Sequence, residues 1–371
     1  MSDASPTATS SSSTPSGTYA SDGTWCGNGG GSDTYFGLRI GSVFVILACS
    51  MSGALFPVLA RRTKWLRIPK PAFEFAKYFG SGVIIATAFI HLLDPAMDEL
   101  GSPCLTDGWS EYPYALAFCL MSIFGIFIVE LVAFRWGSAK LAKLGIPTDM
   151  HTHGFGGAPG PTHTHGSEKV DEESRAPGPA ESASQLSDVD ADYKAGLQAG
   201  ASGSNVLDTP ASQIIGIMIL EFGIVLHSVL IGMTLAVDES FITLFIVIIF
   251  HQLFEGLGLG SRLAYMRLPS SLNHVPVIGA ILYGLTTPIG IAAGLGIRSS
   301  YNPNTQRASI VSGVMDAISA GILIYTGLVE LMAHEFLFSR EMANASTGKL
   351  VYAITCMCLG CGIMALLGKW A

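Results

Sequence analysis

Long apolar runs separated by short polar stretches recur along most of the chain. A helix crossing the hydrocarbon core of a bilayer needs about 20 apolar residues. Eight runs reach that length, at 38–60, 78–96, 114–136, 213–236, 241–264, 275–297, 309–336 and 350–368. They predict an all-α membrane protein of eight transmembrane helices. Glycines interrupt the runs, as in GSGVIIATAF, EGLGLGSRL and GLTTPIGIAAGLG. Small residues let membrane helices approach closely, which accounts for most of these positions. Gly232 and Gly256 are expected to permit local unwinding, and Pro288 to kink the sixth run. Kinked, glycine-broken helices around a midplane site are a transporter pattern.

Two stretches depart from this alternation. Residues 1–37, beginning MSDASPTATSSSSTPSG, lack the apolar centre of a cleavable signal peptide and read as a disordered polar tail. Residues 137–212 are rich in Gly, Pro, Ser, Ala and acids, and read as a disordered loop. The chain therefore divides into a tail at 1–37, helices one to three at 38–136, the loop at 137–212, helices four and five at 213–264, and helices six to eight within 275–371.

Composition agrees: 49% of residues are hydrophobic and 13% charged, where soluble proteins carry about 25% charged. Lys and Arg in short loops set the orientation. Arg61, Arg62, Lys64, Arg67, Lys70 and Lys77 follow the first helix, Arg135, Lys140 and Lys143 the third, and Arg262 and Arg267 the fifth. The second loop carries Asp98, Glu99, Asp107 and Glu111 without a Lys or Arg. Loops one, three and five are thus cytosolic and both termini extracytosolic, against which Arg298 and Arg307 are a minor counterweight. Cys49, Cys119, Cys356, Cys358 and Cys361 lie within helices and read as small buried residues. Cys26 and Cys104 both fall outside, where an oxidising compartment permits a disulfide. The sequence alone does not place their sulfurs within bridging distance.

The informative polar positions lie deep in the fourth and fifth helices. His227 and His251 each fall within a few residues of the centre of their run, and Glu255 follows His251 by four, on one helical face. Ionisable groups at the bilayer centre cost about 2.5–3.5 kcal/mol for Asp, Lys or Arg on insertion scales. These three should therefore face the protein interior and bind something positive. Two imidazoles, a carboxylate and a water make an acceptable Zn²⁺ or Fe²⁺ shell, with too few oxygens for Ca²⁺ and no thiolate for Cu⁺. Ser228 and Gln252 can complete or hydrogen-bond it. Further out, His91, Asp94 and Asp98 share a face at the outer end of the second helix if it continues through Pro95. With Glu99 they would form an acidic mouth through which metal arrives. At the inner end of the seventh helix, Glu330, His334 and Glu335 form a candidate exit. In the cytosolic loop, His151, His153, His163 and His165 make two His-x-His pairs, suited to weak binding of zinc-like ions for sensing, buffering or delivery. Asp316, Glu221 and Glu130 are assigned structural or supporting roles.

The segments EFGIVLHSVLIG and HQLFEG resemble the signature helices of the ZIP family of divalent-metal transporters, in its plant and fungal branch. GSGVIIATAFIHLLDPA and SAGILIYTGLVELMAHEF are similar to that family's second and seventh helices. The resemblance implies an eight-helix bundle in a 3+2+3 arrangement with inverted symmetry, a homodimer, and an ion held by His227, His251 and Glu255 with Ser228 and Gln252 close by. The chain departs from the pattern at Ile231 and Thr287, where many or some relatives carry Glu, so one principal site is expected.

Together these features predict import of Zn²⁺, as transported substrate, into the cytosol. Fe²⁺ or Mn²⁺ as main cargo is the alternative. No G-x-x-x-x-G-K-[ST] motif is present to bind ATP. The expected partners are the metal ion and the lipid bilayer, with no nucleic acid. The plasma membrane is expected, the vacuole or another endomembrane being the alternative. A membrane-embedded zinc hydrolase with Glu255 as base, or a metal-sensing receptor, are rivals from other classes; the first lacks H-E-x-x-H and an evident nucleophile.

Overall fold

The computed structural model describes residues 17–19, 25–27, 32, 34–63, 68–143, 210–266, 268, 270–299 and 305–370. Among them eight helices are long and apolar enough to cross a membrane. They are α1 (Phe36–Arg62), α2 (Lys70–Leu100), α3 (Tyr114–Lys143), α4 (Pro210–Val237), α5 (Phe241–Tyr265), α6 (Val275–Ile297), α7 (Gln306–Leu337) and α8 (Thr347–Leu367). The fold class is the one the apolar runs predict. The side-chain oxygens of Thr305 and Ser346 accept from the backbone N–H of Ala308 and Lys349, capping the starts of α7 and α8. The contacts define one unit comprising Met1–Leu131 and Pro210–Ala371 and another of Val132–Thr209. Everything below concerns the first; His151, His153, His163 and His165 lie outside the described residues.

The stretch read as a disordered tail contains structure. Strands β1 (Gly17–Tyr19) and β2 (Trp25–Gly27) pair antiparallel with Thr18 opposite Cys26. Cys26 forms a disulfide with Cys104, in the loop after α2. The bridge supplies what a short polar segment lacks, a fixed point against which two strands can order.

Helix α1 packs on α5 and α6, α4 on α6, and α2 on α5 and α8, while α7 lies against the C-terminal half of α2 and against α4. Glycine lets these backbones meet. A Cβ on Gly80 of α2 would lie 2.1 Å from Cα of Gly258 on α5, so neither position tolerates a side chain. The same cause corrects two sequence expectations. Gly232 is helical and abuts the Thr287 carbonyl, and Gly256 abuts the Tyr283 ring. Both are packing glycines, not points of unwinding, and α6 runs on through Pro288. Departures from α geometry occur elsewhere, in wide π-helical turns at Thr87–Leu93 in α2 and Thr326–Leu337 in α7. The first ends just before Pro95, which has no N–H to donate, with Asp94 N–H reaching back to Phe89 O.

Helix α2 is the most enclosed span and α3 the least. Phe44, Leu120, Met121, Phe124, Ile289 and Leu366 stand exposed, as lipid-facing side chains do. A largely apolar core around Ala54, Ile84, Leu259 and Tyr283 runs through the bundle, and the polar groups of the site interrupt it.

Candidate metal site

On α5, His251, Gln252 and Glu255 are all fully buried. The four-residue spacing stacks the imidazole on the carboxylate, with Nε2 and Oε2 3.6 Å apart. That is too long for a hydrogen bond. It is near the ~3.3 Å edge of a tetrahedron whose metal–ligand bonds are ~2.0–2.1 Å. His227 and Ser228 of α4 are equally enclosed, and the His227 ring centre lies 5.5 Å from that of His251. The opposite nitrogen of His227, Nδ1, faces Oδ1 of Asp316 on α7 at 3.5 Å. Asp316, which sequence reasoning left in a supporting role, thus touches the site.

Gln252 is held from behind. Its Nε2 donates to Ser50 Oγ of α1 at 3.2 Å and to Thr287 Oγ1 of α6. With both donors engaged, Oε1 is left as a buried acceptor without a protein partner. Thr287, where some relatives have a carboxylate, therefore serves here to orient an amide. Ile231, the other departure, packs in the apolar cluster of Leu235, Ile248 and Ile291.

All five residues expected at the centre carry such atoms. His227 Nε2, Ser228 Oγ, both nitrogens of His251, Gln252 Oε1 and both oxygens of Glu255 are buried without a hydrogen-bond partner. Each unsatisfied group of this kind costs about 1–3 kcal/mol. Apart from the Ser228 hydroxyl and the one N–H that neutral His251 keeps, these atoms offer lone pairs once both imidazoles are neutral, a set that suits one borderline cation. Among the described residues no three His, Cys, Asp or Glu side chains are gathered closely enough to hold an ion. The groups stand as two pairs, His251 with Glu255 and His227 with Asp316.

The outer residues separate. His91 is 5% exposed, and the π-helical turn directs its ring edge-on to His251 at 4.9 Å, with Nε2 on the Met364 carbonyl of α8. Asp94 and Asp98 are exposed. The shared face expected for the three is thus divided, because the wide turn rotates His91 inward. Glu99 is the acid that turns towards the interior: it accepts from Ser312 and stands near Asp316.

At the inner end, Glu335 is held by two cations. Lys77 Nζ of α2 pairs with its Oε1, and Arg262 Nη1 of α5 lies 3.6 Å from Oε2. Arg262 also donates to Ser81 Oγ at 2.6 Å. Glu330 neighbours Glu130, which accepts from the Tyr325 hydroxyl. His334 is half-buried in the wide turn of α7. Sequence reading counted Lys77 and Arg262 only as markers of the cytosolic side. Their inward role had one signal: Arg262 follows Glu255 by seven residues, two turns along the same face.

The family model described as ZIP Zinc transporter matches residues 36–368. The chain belongs to the ZIP family. Its relatives include zinc-regulated transporter 2 of Saccharomyces cerevisiae, 37% identical with 93% of this chain and 97% of the relative covered. Zinc-regulated transporter 1 of Schizosaccharomyces pombe is 43% identical, covering 91% and 86%. Zinc transporter 9 of Oryza sativa subsp. japonica is 36% identical, covering 90% and 89%. This ZIP protein is a multi-pass membrane transporter, and the hydrolase reading falls with that membership.

Proposed function

We propose that this ZIP protein imports Zn²⁺ into the cytosol through a central site of His227, His251 and Glu255, with Ser228 and Gln252 beside them. The observation that carries this reading is that His227, His251 and Glu255 lie side by side, fully enclosed, with nitrogen and oxygen atoms that no protein group satisfies. The relatives, named as zinc transporters, support zinc over Fe²⁺ or Mn²⁺. The exposed Asp94 and Asp98 concentrate cations at the outer surface. The ion sheds most of its water and passes His91. Glu255 supplies the charge, and the two imidazoles supply the nitrogen donors that zinc favours. Glu330, His334 and Glu335 receive it on the cytosolic side. That step requires Glu335 to part from Arg262 or Lys77. A negative-inside membrane potential contributes about 2.3 kcal/mol per charge per 100 mV, or about 4.6 kcal/mol for a divalent ion moving uncompensated. The protein works as a homodimer at the plasma membrane, and His151, His153, His163 and His165 bind metal arriving in the cytosol.

The test is ⁶⁵Zn²⁺ uptake into liposomes carrying the purified protein, with His227→Ala and Glu255→Ala beside wild type. Saturable uptake lost in both variants is the expected result. Uptake retained by both would refute the central site. Tight zinc binding without uptake by any form would favour a metal sensor.

A further inference from the structure

Asp316 lies in the interior of α7 and is 7% exposed. A carboxylate at that depth is costly, and those that occur pair or serve a pathway. The group it faces is Nδ1 of His227. The two nitrogens of an imidazole are distinct, and the hydrogen bond made by one decides what the other can do. A proton on Nδ1 directed at the carboxylate leaves Nε2 with a free lone pair. Nε2 of His227 is buried and has no hydrogen-bond partner. It stands beside His251, the two ring centres 5.5 Å apart.

We propose that Asp316 is a positioning residue for the transported ion. It holds His227 by Nδ1, so that Nε2 is presented to the cation shared with His251 and Glu255. Histidines that bind metals commonly give their second N–H to a carboxylate, which fixes the ring and the tautomer. The proposal rests on the central-site reading above. It brings α7 into a site otherwise built by α4 and α5. Towards the outer end, Ser312, one turn before Asp316, donates to Glu99, so the carboxylate that orients His227 also adjoins the innermost acid of the outer approach.

The test uses full-length protein in detergent micelles, with zinc affinity read by competition with a chelating dye and KM and Vmax read in liposomes. Asp316→Asn keeps the shape and an oxygen acceptor, whereas Asp316→Leu removes the acceptor. Asp316→Leu should weaken zinc binding about 10–100-fold and raise KM more than it lowers Vmax, while Asp316→Asn stays within about threefold of wild type. In a His227→Ala background, Asp316→Leu should add no further loss, because its effect passes through the ring. Three results overturn the proposal alone, given that His227→Ala weakens binding: wild-type affinity in Asp316→Leu, equal loss in both Asp316 variants, or an undiminished effect of Asp316→Leu without His227. Wild-type affinity in His227→Ala overturns the central site and this proposal with it.

Discussion

Glu335 should matter more to stability than either cation that holds it. Lys77 and Arg262 converge on its two oxygens, with the three side chains 19%, 13% and 14% exposed in the order Lys77, Arg262, Glu335. Glu335→Gln removes the counter-charge that two neighbouring cations share, leaving Arg262 with Glu330 and Lys77 with Glu341 at longer range. Breaking a fully buried ion pair by removing one partner costs about 3–5 kcal/mol. Partial exposure screens the residual charges, so about 2–3 kcal/mol is expected here. Arg262→Met is milder, because Glu335 keeps Lys77 and only the Ser81 hydroxyl loses a donor; about 1–2 kcal/mol is expected. Replacing an entire ionic cluster by neutral groups is often close to neutral. The triple variant Lys77→Met, Arg262→Met, Glu335→Gln should therefore recover much of what Glu335→Gln alone loses. The assay is thermal unfolding of purified protein in micelles, followed by loss of monodisperse elution after heating. The predicted order of melting temperatures is wild type, Arg262→Met, triple variant, Glu335→Gln, the middle two lying close. A Glu335→Gln protein as stable as Arg262→Met, or a triple variant less stable than Glu335→Gln, would refute the reasoning.

Other perturbations test other parts of the fold. Gly258→Val places a side chain where α5 meets Gly80 of α2, so loss of folded protein, or of uptake in what folds, is expected by immunoblot and flux assay; normal uptake would deny that close approach. Arg39, fully buried, donates to the Leu235 and Asp238 carbonyls at the α4–α5 turn, and Arg39→Leu should lower the melting temperature by an amount corresponding to about 2–4 kcal/mol. Zinc ligation needs neutral imidazole and ionised carboxylate, so acidification converts the binding form to the protonated one; uptake should fall steeply below about pH 5.5, and a flat rate down to about pH 4.5 would refute this. Cys26→Ser and Cys104→Ser should destabilise equally, and the double variant no further, since each removes the same bridge.

The parts legible in the sequence were those set by length and by cost. Eight helices follow from the extent of the apolar runs, and the depth of His227, His251 and Glu255 follows because such groups are too costly in lipid to be incidental. Their mutual approach was legible where it is local: the four-residue spacing places His251 on Glu255 without reference to any other helix. What was not legible depends on contacts between helices distant in sequence. Nothing near Asp316 in the chain indicates that it meets His227, 89 residues away. Nothing near Gln252 indicates that Ser50 and Thr287 turn its oxygen inward. The wide turn of α2 was hidden for another reason. Periodicity assumes one residue spacing throughout a helix, and the insertion of a π turn shifts every residue beyond it around the axis. His91 and Asp94, three apart, therefore part company, one against His251 and the other in the open. The glycines illustrate the same limit from the other side. A glycine that unwinds a helix and one that admits a neighbour look alike in sequence, and only the Thr287 carbonyl against Gly232 and the Tyr283 ring against Gly256 assign them to packing. Tight packing of continuous helices also constrains how this bundle can open. With α4 and α5 unbroken through the site, the structure offers no melted helix end beside it, and Arg262 on α5, joined to α2 through Ser81 and to α7 through Glu335, ties together three of the elements that enclose it.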